Sequence, residues 1–335
     1  MPVPRRTVLA SGLAGLAAAL PHTPAAAARP VYAPGPGASP VEEYTQLRRV
    51  LIQSDNLMGP RHVLPAVQQR LAMLTGHRKH ARGADAARLL ALETRYEELA
   101  GWLAQDIGDT RTAYGHTSRA LTASHMTGDS DLTAYILGRQ AQLAADTGNP
   151  HDALGLATAA RRTAMPGSRL EVIAVVHQAH AHSVLGDETQ GLRGYDTALS
   201  LLERTDGDGV WGSWLDAPYV HTARARSLAA LGHHDQAVTG FTEAIAAVPV
   251  AYRRDRGVYQ ARTARSLAGT GDHAKAAEVA LQAVNIAAET GSARIIGQLA
   301  KLDEALVPVA GVPQVAEFRS ALDRIVLHPP TPAAP

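Results

Sequence analysis

The chain contains no cysteine among its 335 residues. Disulfides, thiolate nucleophiles and cysteine-ligated metals are therefore excluded, although the absence names no compartment. Aromatic residues make up only 4%, with two Phe and three Trp. A core so poor in rings must be filled by Ala, Leu and Val, which suits closely spaced helices better than a β-sandwich. An excess of charge of either sign is also missing, since 32 basic residues face 31 acidic ones. That balance leaves no electrostatic footprint for direct nucleic-acid binding or for an anionic membrane.

Sequence motifs that carry chemistry are absent too. There is no Gly-x-Ser-x-Gly elbow, phosphate-binding Walker loop, Gly-x-Gly-x-x-Gly or His-Glu-x-x-His. The carboxylate pairs Glu42-Glu43 and Glu97-Glu98 are adjacent in sequence, so on a helix they diverge by about 100° and do not act together. The expectation is a non-enzymatic protein with no cofactor and no metal. An enzyme assembled from dispersed residues stays open as an alternative.

What the chain does have is a ladder of small residues in register with turns. Glycines at 108, 148, 186, 232 and 271 each have Ala twelve residues later: Ala120, Ala160, Ala198, Ala244 and Ala283. Seven residues before them stand Gly101, Ala141, Ala179, Ala225 and Ala264, and five after them Ala113, Ala153, Gly191, Ala237 and Ala276. Two antiparallel helices approach closely only where a side chain is absent or a methyl, so the ladder predicts repeated helical hairpins. Turn chemistry agrees. Gly148-Asn149-Pro150 offers a helix stop, an N-cap and a first-turn proline, and Gly108-Asp109, Gly186-Asp187 and Gly271-Asp272 pair a stop with an Asp cap.

This ladder resembles the tetratricopeptide repeat. Tyr195 and Phe241 match that family's aromatic before the last Ala, and Pro249 its terminal proline, whereas Thr117, Ala157 and Ala280 depart from it. The turns are 40, 38, 46 and 39 residues apart, longer than the family's repeat, with the largest excess in a Gly-rich loop over 205–214. The resemblance implies an all-α fold, a right-handed α-solenoid of tetratricopeptide-like hairpins. It spans residues 41–307 in about six hairpins, the first a degenerate one over 41–76. A capping helix over 308–327 and a disordered tail over 328–335 follow. Glu317, Arg319, Asp323 and Arg324 are expected to form the cap's polar outer face. Leu47-Arg48-Arg49-Val50-Leu51, Trp214 to Tyr219 and Tyr252 to Tyr259 are similar to the C-terminal half of actinobacterial helix-turn-helix regulators. The forty residues before Val41 are too few for a DNA-binding domain, so DNA binding is not an expectation carried over from that resemblance.

Residues 1–28 resemble a twin-arginine export signal. Arg5 and Arg6 precede a 14-residue apolar run from Thr7 to Leu20, closed by Pro21 and four alanines ending at Ala28. A bilayer span needs about 20 residues, so no transmembrane segment is expected in the mature protein. The alternative is an apolar N-terminal segment of a cytoplasmic protein. A Pro/Gly linker over 29–40 follows.

In tetratricopeptide arrays the first helix of each pair lines the concave face. That register implies a groove of Arg95, Trp102, Tyr135, Arg139, Gln142, His177, His180, Tyr219, Arg226, Arg262 and Arg265. The set contains no carboxylate and suits a peptide or protein partner of acidic character. Other candidates have blander readings. His177 and His180 lie i, i+3 on one helix face and have the spacing of metal ligands, or are ordinary groove histidines. His77, Arg78, Lys79, His80 and Arg82 form a basic cluster in a solvated loop, or a dock for an acidic partner. Arg253, Arg254 and Arg256 read as an inter-repeat loop or an anion contact. Trp211 and Trp214 plug the gap behind an overlong linker, or form a binding lid. The leading reading is a binding protein, with a role in signalling or regulation. An exported cell-envelope scaffold and a sensory fragment of a transcriptional regulator are the alternatives.

Overall fold

A computed structural model describes residues 39–205, 211, 212, 214–249 and 252–327, apart from the side chains of Asn56 and Leu57. The export-type segment over 1–28, nearly all of the 29–40 linker and the tail over 328–335 lie outside the described residues. Among the described residues there are fourteen α-helices and no strand, so the fold is an all-α array of helical hairpins.

The chain divides into two compact units, one ending at Thr127 and one beginning at Gly128. The first holds α1 (Pro40–Met58), α2 (Pro60–His80), α3 (Gly83–Asp106) and α4 (Thr110–Thr127). The second holds α5 (Ser130–Asp146), α6 (Pro150–Thr163), α7 (Arg169–Val184), α8 (Glu188–Leu202), α9 (Ala217–Ala230) and α10 (His234–Ala247). It continues through α11 (Arg253–Thr270), α12 (His273–Thr290), α13 (Ala293–Leu306) and α14 (Pro313–Leu327). In the second unit α5 pairs with α6, α7 with α8, α9 with α10 and α11 with α12. The first helices of successive pairs also touch, α5 on α7 and α7 on α9.

The five ladder glycines close the five hairpin turns with φ between 83° and 90°. In each turn the residue after Gly donates its N–H to a carbonyl five residues back: Asp109 to Ala104, Asn149 to Ala144, Asp187 to His182, His233 to Leu228 and Asp272 to Leu267. This is the Schellman closure, which satisfies orphan helix-end carbonyls and favours glycine because the residue is left-handed. The next helix is then capped from the same turn, for example by Asp187, whose carboxylate accepts from Gln190 N–H at 3.1 Å. Asn149 departs from the expected cap: its side chain makes no capping bond and turns instead toward Thr147 Oγ1 at 3.4 Å.

The small residues fill the helix crossings as steric reasoning demands. Ala120, Ala198 and Ala283 are fully buried, as are Ala113, Ala237 and Ala276. A methyl added at Gly191 would lie 2.3 Å from Ser183 Oγ and 3.2 Å from the Ala179 carbonyl, so α7 and α8 touch backbone to backbone there. Tyr195 and Phe241 are completely buried between their helices.

Three local expectations need correction. The 77–80 basic cluster is the last turn of α2, where cations suit the helix dipole. There Arg78 pairs with Glu93, and Tyr44 Oη lies 3.1 Å from His77 Nδ1. Arg253, Arg254 and Arg256 open α11 and are not in a loop, and Arg253 pairs with Glu289 on α12. Arg319 is buried and 3.0 Å from Asp303 of α13, so it ties the terminal helix down, whereas Glu317 and Arg324 face water.

Candidate functional site

The candidate face of the second unit is built by α5, α9, α11 and α13, from residues three, four or seven apart. On α5, Arg139, Gln142 and Asp146 share one side. On α9 stand Tyr219 and Arg226, on α11 Tyr259, Arg262 and Arg265, and on α13 Arg294 and Lys301. The most telling contact is between Arg226 and Asp146: Nη2 lies 2.6 Å from Oδ1. These residues come from α5 and α9, which are separated by α7. Packed helix axes lie about 8–10 Å apart, so two steps along a flat stack would separate α5 from α9 by twice that. A direct ion pair across the gap shows that α5 and α9 send these side chains into a common space beside α7.

Electrostatics describe the same enclosure. The Asp146 side chain is 26% exposed. Burial pushes its carboxyl up, but Arg226, Arg262 and Arg294 together outweigh that and hold it below the ordinary carboxylate range. Burial and the neighbouring Arg226 push Arg262 down to about 10, against the pull of Asp146 and Tyr259. Arg265 and Lys301, whose side chains still reach water, are lowered as well, by partial burial first and other cations second. Arg265 Nη1 donates to Gln298 Oε1 at 2.6 Å, and Arg294 Nη2 lies 3.4 Å from Asp255 Oδ1. Arg139, nearly buried, donates to Gln142. Among the described residues, the Arg262 guanidinium donates no hydrogen bond.

Histidines form the floor. Burial, with Arg139 and Arg226 adding to it, pushes His177 down to about 4, against Asp146. His180 is lowered well below the ordinary value by burial, then by Arg226, Arg262 and His177. Its Nδ1 lies 2.9 Å from Ser227 Oγ, which lies 2.7 Å from Tyr195 Oη. Both imidazoles are thus neutral near pH 7, and His180 is held in a protein hydrogen-bond network. Among the described residues no cluster of three metal-ligating side chains exists.

An aromatic flank adjoins the cations. Trp211 stacks on Tyr135 with ring centroids 4.6 Å apart and planes at 28°. Trp214 meets Tyr219 edge-on at 4.7 Å. Arg169 of α7 fixes this stretch by donating from Nη1 to the carbonyls of Gly212 (3.0 Å) and Leu215 (2.7 Å). Gly212 has φ 73°, and a methyl there would stand 3.0 Å from Ile173 Cδ1.

The sequence-derived groove therefore divides. Arg139, His177, His180, Tyr219, Arg226, Arg262 and Arg265 belong to one electrostatic cluster, and Tyr135 joins it through the tryptophans. Arg95 and Trp102 lie on α3 in the first unit, where the Arg95 carbonyl accepts from Arg48 Nε at 3.3 Å. The groove does hold a carboxylate, contrary to expectation: Asp146, which sits seven residues after Arg139 and is recoverable from that helical spacing. Tyr259, Arg294 and Lys301 were missed as well. Tyr259 and Arg262 are three apart on α11, and Arg294 and Lys301 seven apart on α13.

No protein-family model matches the sequence, and no curated protein matches it. Among solved structures, the chain is similar to the crystal structure of BtubC (BKLC) from P. vanneervenii, with a TM-score of 0.46 and 16% identity over 69% of this chain and 91% of that one. A likeness of that degree carries no functional argument. No helix among the described residues is long and apolar enough to cross a membrane.

Proposed function

We propose that this chain is a non-enzymatic binding protein whose arginine-rich face in the second unit receives an acidic segment of a peptide or protein partner. The observation that carries the reading is Arg262. It is a partly buried guanidinium with no hydrogen-bond acceptor among the described residues, crowded by Arg226 and Arg294 and facing a carboxylate already bound to Arg226. Partly desolvated like charges destabilise the fold unless something else compensates them. A carboxylate offered by a partner supplies that compensation through charge-assisted hydrogen bonds. Neutral histidines and tyrosine hydroxyls add polar contacts without competing negative charge.

The test is calorimetric titration of the full chain with a short acidic peptide at two salt concentrations. Arg262→Ala is expected to weaken binding about tenfold or more, since a hydrogen bond to a charged group contributes roughly 1.5–3 kcal/mol. Arg88→Ala, a change at a well-exposed surface arginine of the first unit, should leave it unchanged. Equal affinity in the native chain and Arg262→Ala would remove the face as the site.

A further inference from the structure

The aromatic stretch beside the cations is a built feature. Arg169 holds the carbonyls of Gly212 and Leu215, Leu215 is buried as an anchor, and Gly212 packs on Ile173 in a conformation that disfavours any side chain. This bracing sets where both tryptophans stand. Trp211 spends one ring face on Tyr135. Trp214 keeps 46% of its surface exposed, although nothing prevents a polar residue at an exposed site. Among the described residues its one ring contact is the edge of Tyr219, which itself lies among Arg139, Arg226, Arg262 and Asp146. A large apolar surface thus stands one side chain away from a cluster of anion receptors, on a segment fixed by three separate contacts.

We infer that Trp214 is a specificity-determining contact, and that the occupant of the face is a peptide segment with a large apolar or aromatic side chain next to its acidic ones. This rests on the acidic-partner reading above and narrows it. Charge alone does not distinguish one acidic segment from another, whereas covering an exposed indole does. Burying a Leu or Phe side chain is favourable by about 1.5–3 kcal/mol, which corresponds to roughly ten- to hundredfold in affinity. Trp211, Tyr135 and Tyr219 extend the apolar surface, and Arg169 is its positioning residue.

The experiment uses acetylated pentapeptides Ala-Glu-X-Glu-Ala, with X as Phe, Leu, Ala or Ser, titrated into the full chain by calorimetry and followed by tryptophan emission. The native chain should bind the Phe and Leu peptides at least about tenfold more tightly than the Ala and Ser peptides. Trp214→Ala removes an exposed side chain and so should fold normally. It should bring that ratio close to one while leaving affinity for the Ala peptide and its salt dependence as they were. Arg169→Ala should lower the same ratio without touching the apolar contact directly. Arg262→Ala should weaken all four peptides alike. If the four peptides bind equally, or if the ratio survives in Trp214→Ala, this inference is overturned while the acidic-partner reading stands. If none binds and Arg262→Ala changes nothing, both fall. A blue shift of Trp214 emission with rising protein concentration and no peptide would mean that a second copy of the chain covers the indole, which also overturns it.

Discussion

At the scale of single residues, the face reads as a set of titrations forced away from their ordinary values by neighbours. His177 is the clearest case. Its folded-state value of about 4 lies below the ordinary 6.5 because burial and the flanking Arg139 and Arg226 oppose the imidazolium more strongly than Asp146 favours it. Between those two values the unfolded chain binds a proton that the folded chain refuses. Stability is therefore full above about pH 6.5 and falls as the pH drops toward 4. His180 acts in the same direction. Asp146 is held below the ordinary carboxylate range, so its own loss comes at lower pH and does not mask the effect. Urea midpoints measured from pH 7.5 to 4.5 should decline, and His177→Gln should make the decline shallower. A native midpoint that is flat across that range would contradict the burial described for both imidazoles.

At the scale of elements, the ladder of small residues decides how hairpins close. Ala198 is fully buried where α8 crosses its neighbours, beside Tyr195 and one helical face from Gly191. Ala198→Leu adds three carbons with no cavity to receive them, and overpacking of this kind costs about 1–3 kcal/mol. Thermal unfolding should report a clearly lower midpoint, and an unchanged midpoint would mean the register is not what holds α7 and α8 together. This part of the fold was legible in the sequence because close approach and left-handed turns leave few residue types to choose from. Gly186 and Asp187 announce a Schellman closure and a cap by chemistry alone. The groove was legible only along each helix. Arg139 and Asp146 could be placed on one side by counting, but the Asp146–Arg226 pair joins residues 80 apart on helices that are not sequence neighbours. Its existence depends on how successive hairpins are set against one another, which no local pattern encodes. Arg319 misled for the opposite reason: arginine at a terminal helix reads as solvent-facing until Asp303, buried on α13, supplies its partner.

At the scale of the whole molecule, the N-terminal 28 residues pose a question about destination. If Arg5-Arg6 and the apolar run to Leu20 serve as a twin-arginine signal, the mature chain begins near Arg29 and loses two positive charges, leaving 30 basic residues against 31 acidic. The cationic face would then belong to a chain with almost no net charge, so its pull on an acidic partner would come from local arrangement and not from a long-range field. On that reading, expression of the full chain in a host with a twin-arginine export route, followed by fractionation and intact-mass measurement, should find the mature form outside the membrane. Recovery of the chain with Met1 intact in the cytosol would discard export and leave those residues as a cytoplasmic segment.

The ion pair between Arg226 and Asp146 also means that the face is already occupied by its own chain. Asp146 is a resident competitor, and an incoming carboxylate that takes Arg226 must evict it. On the acidic-partner reading, a single carboxylate directed at Arg226 makes one bond by breaking another and gains little there. A segment with two acidic groups reaches Arg226 and the unengaged Arg262 together, so the second bond is made without loss. On that reading the resident carboxylate would favour short acidic stretches of polypeptide over inorganic anions and single amino acids.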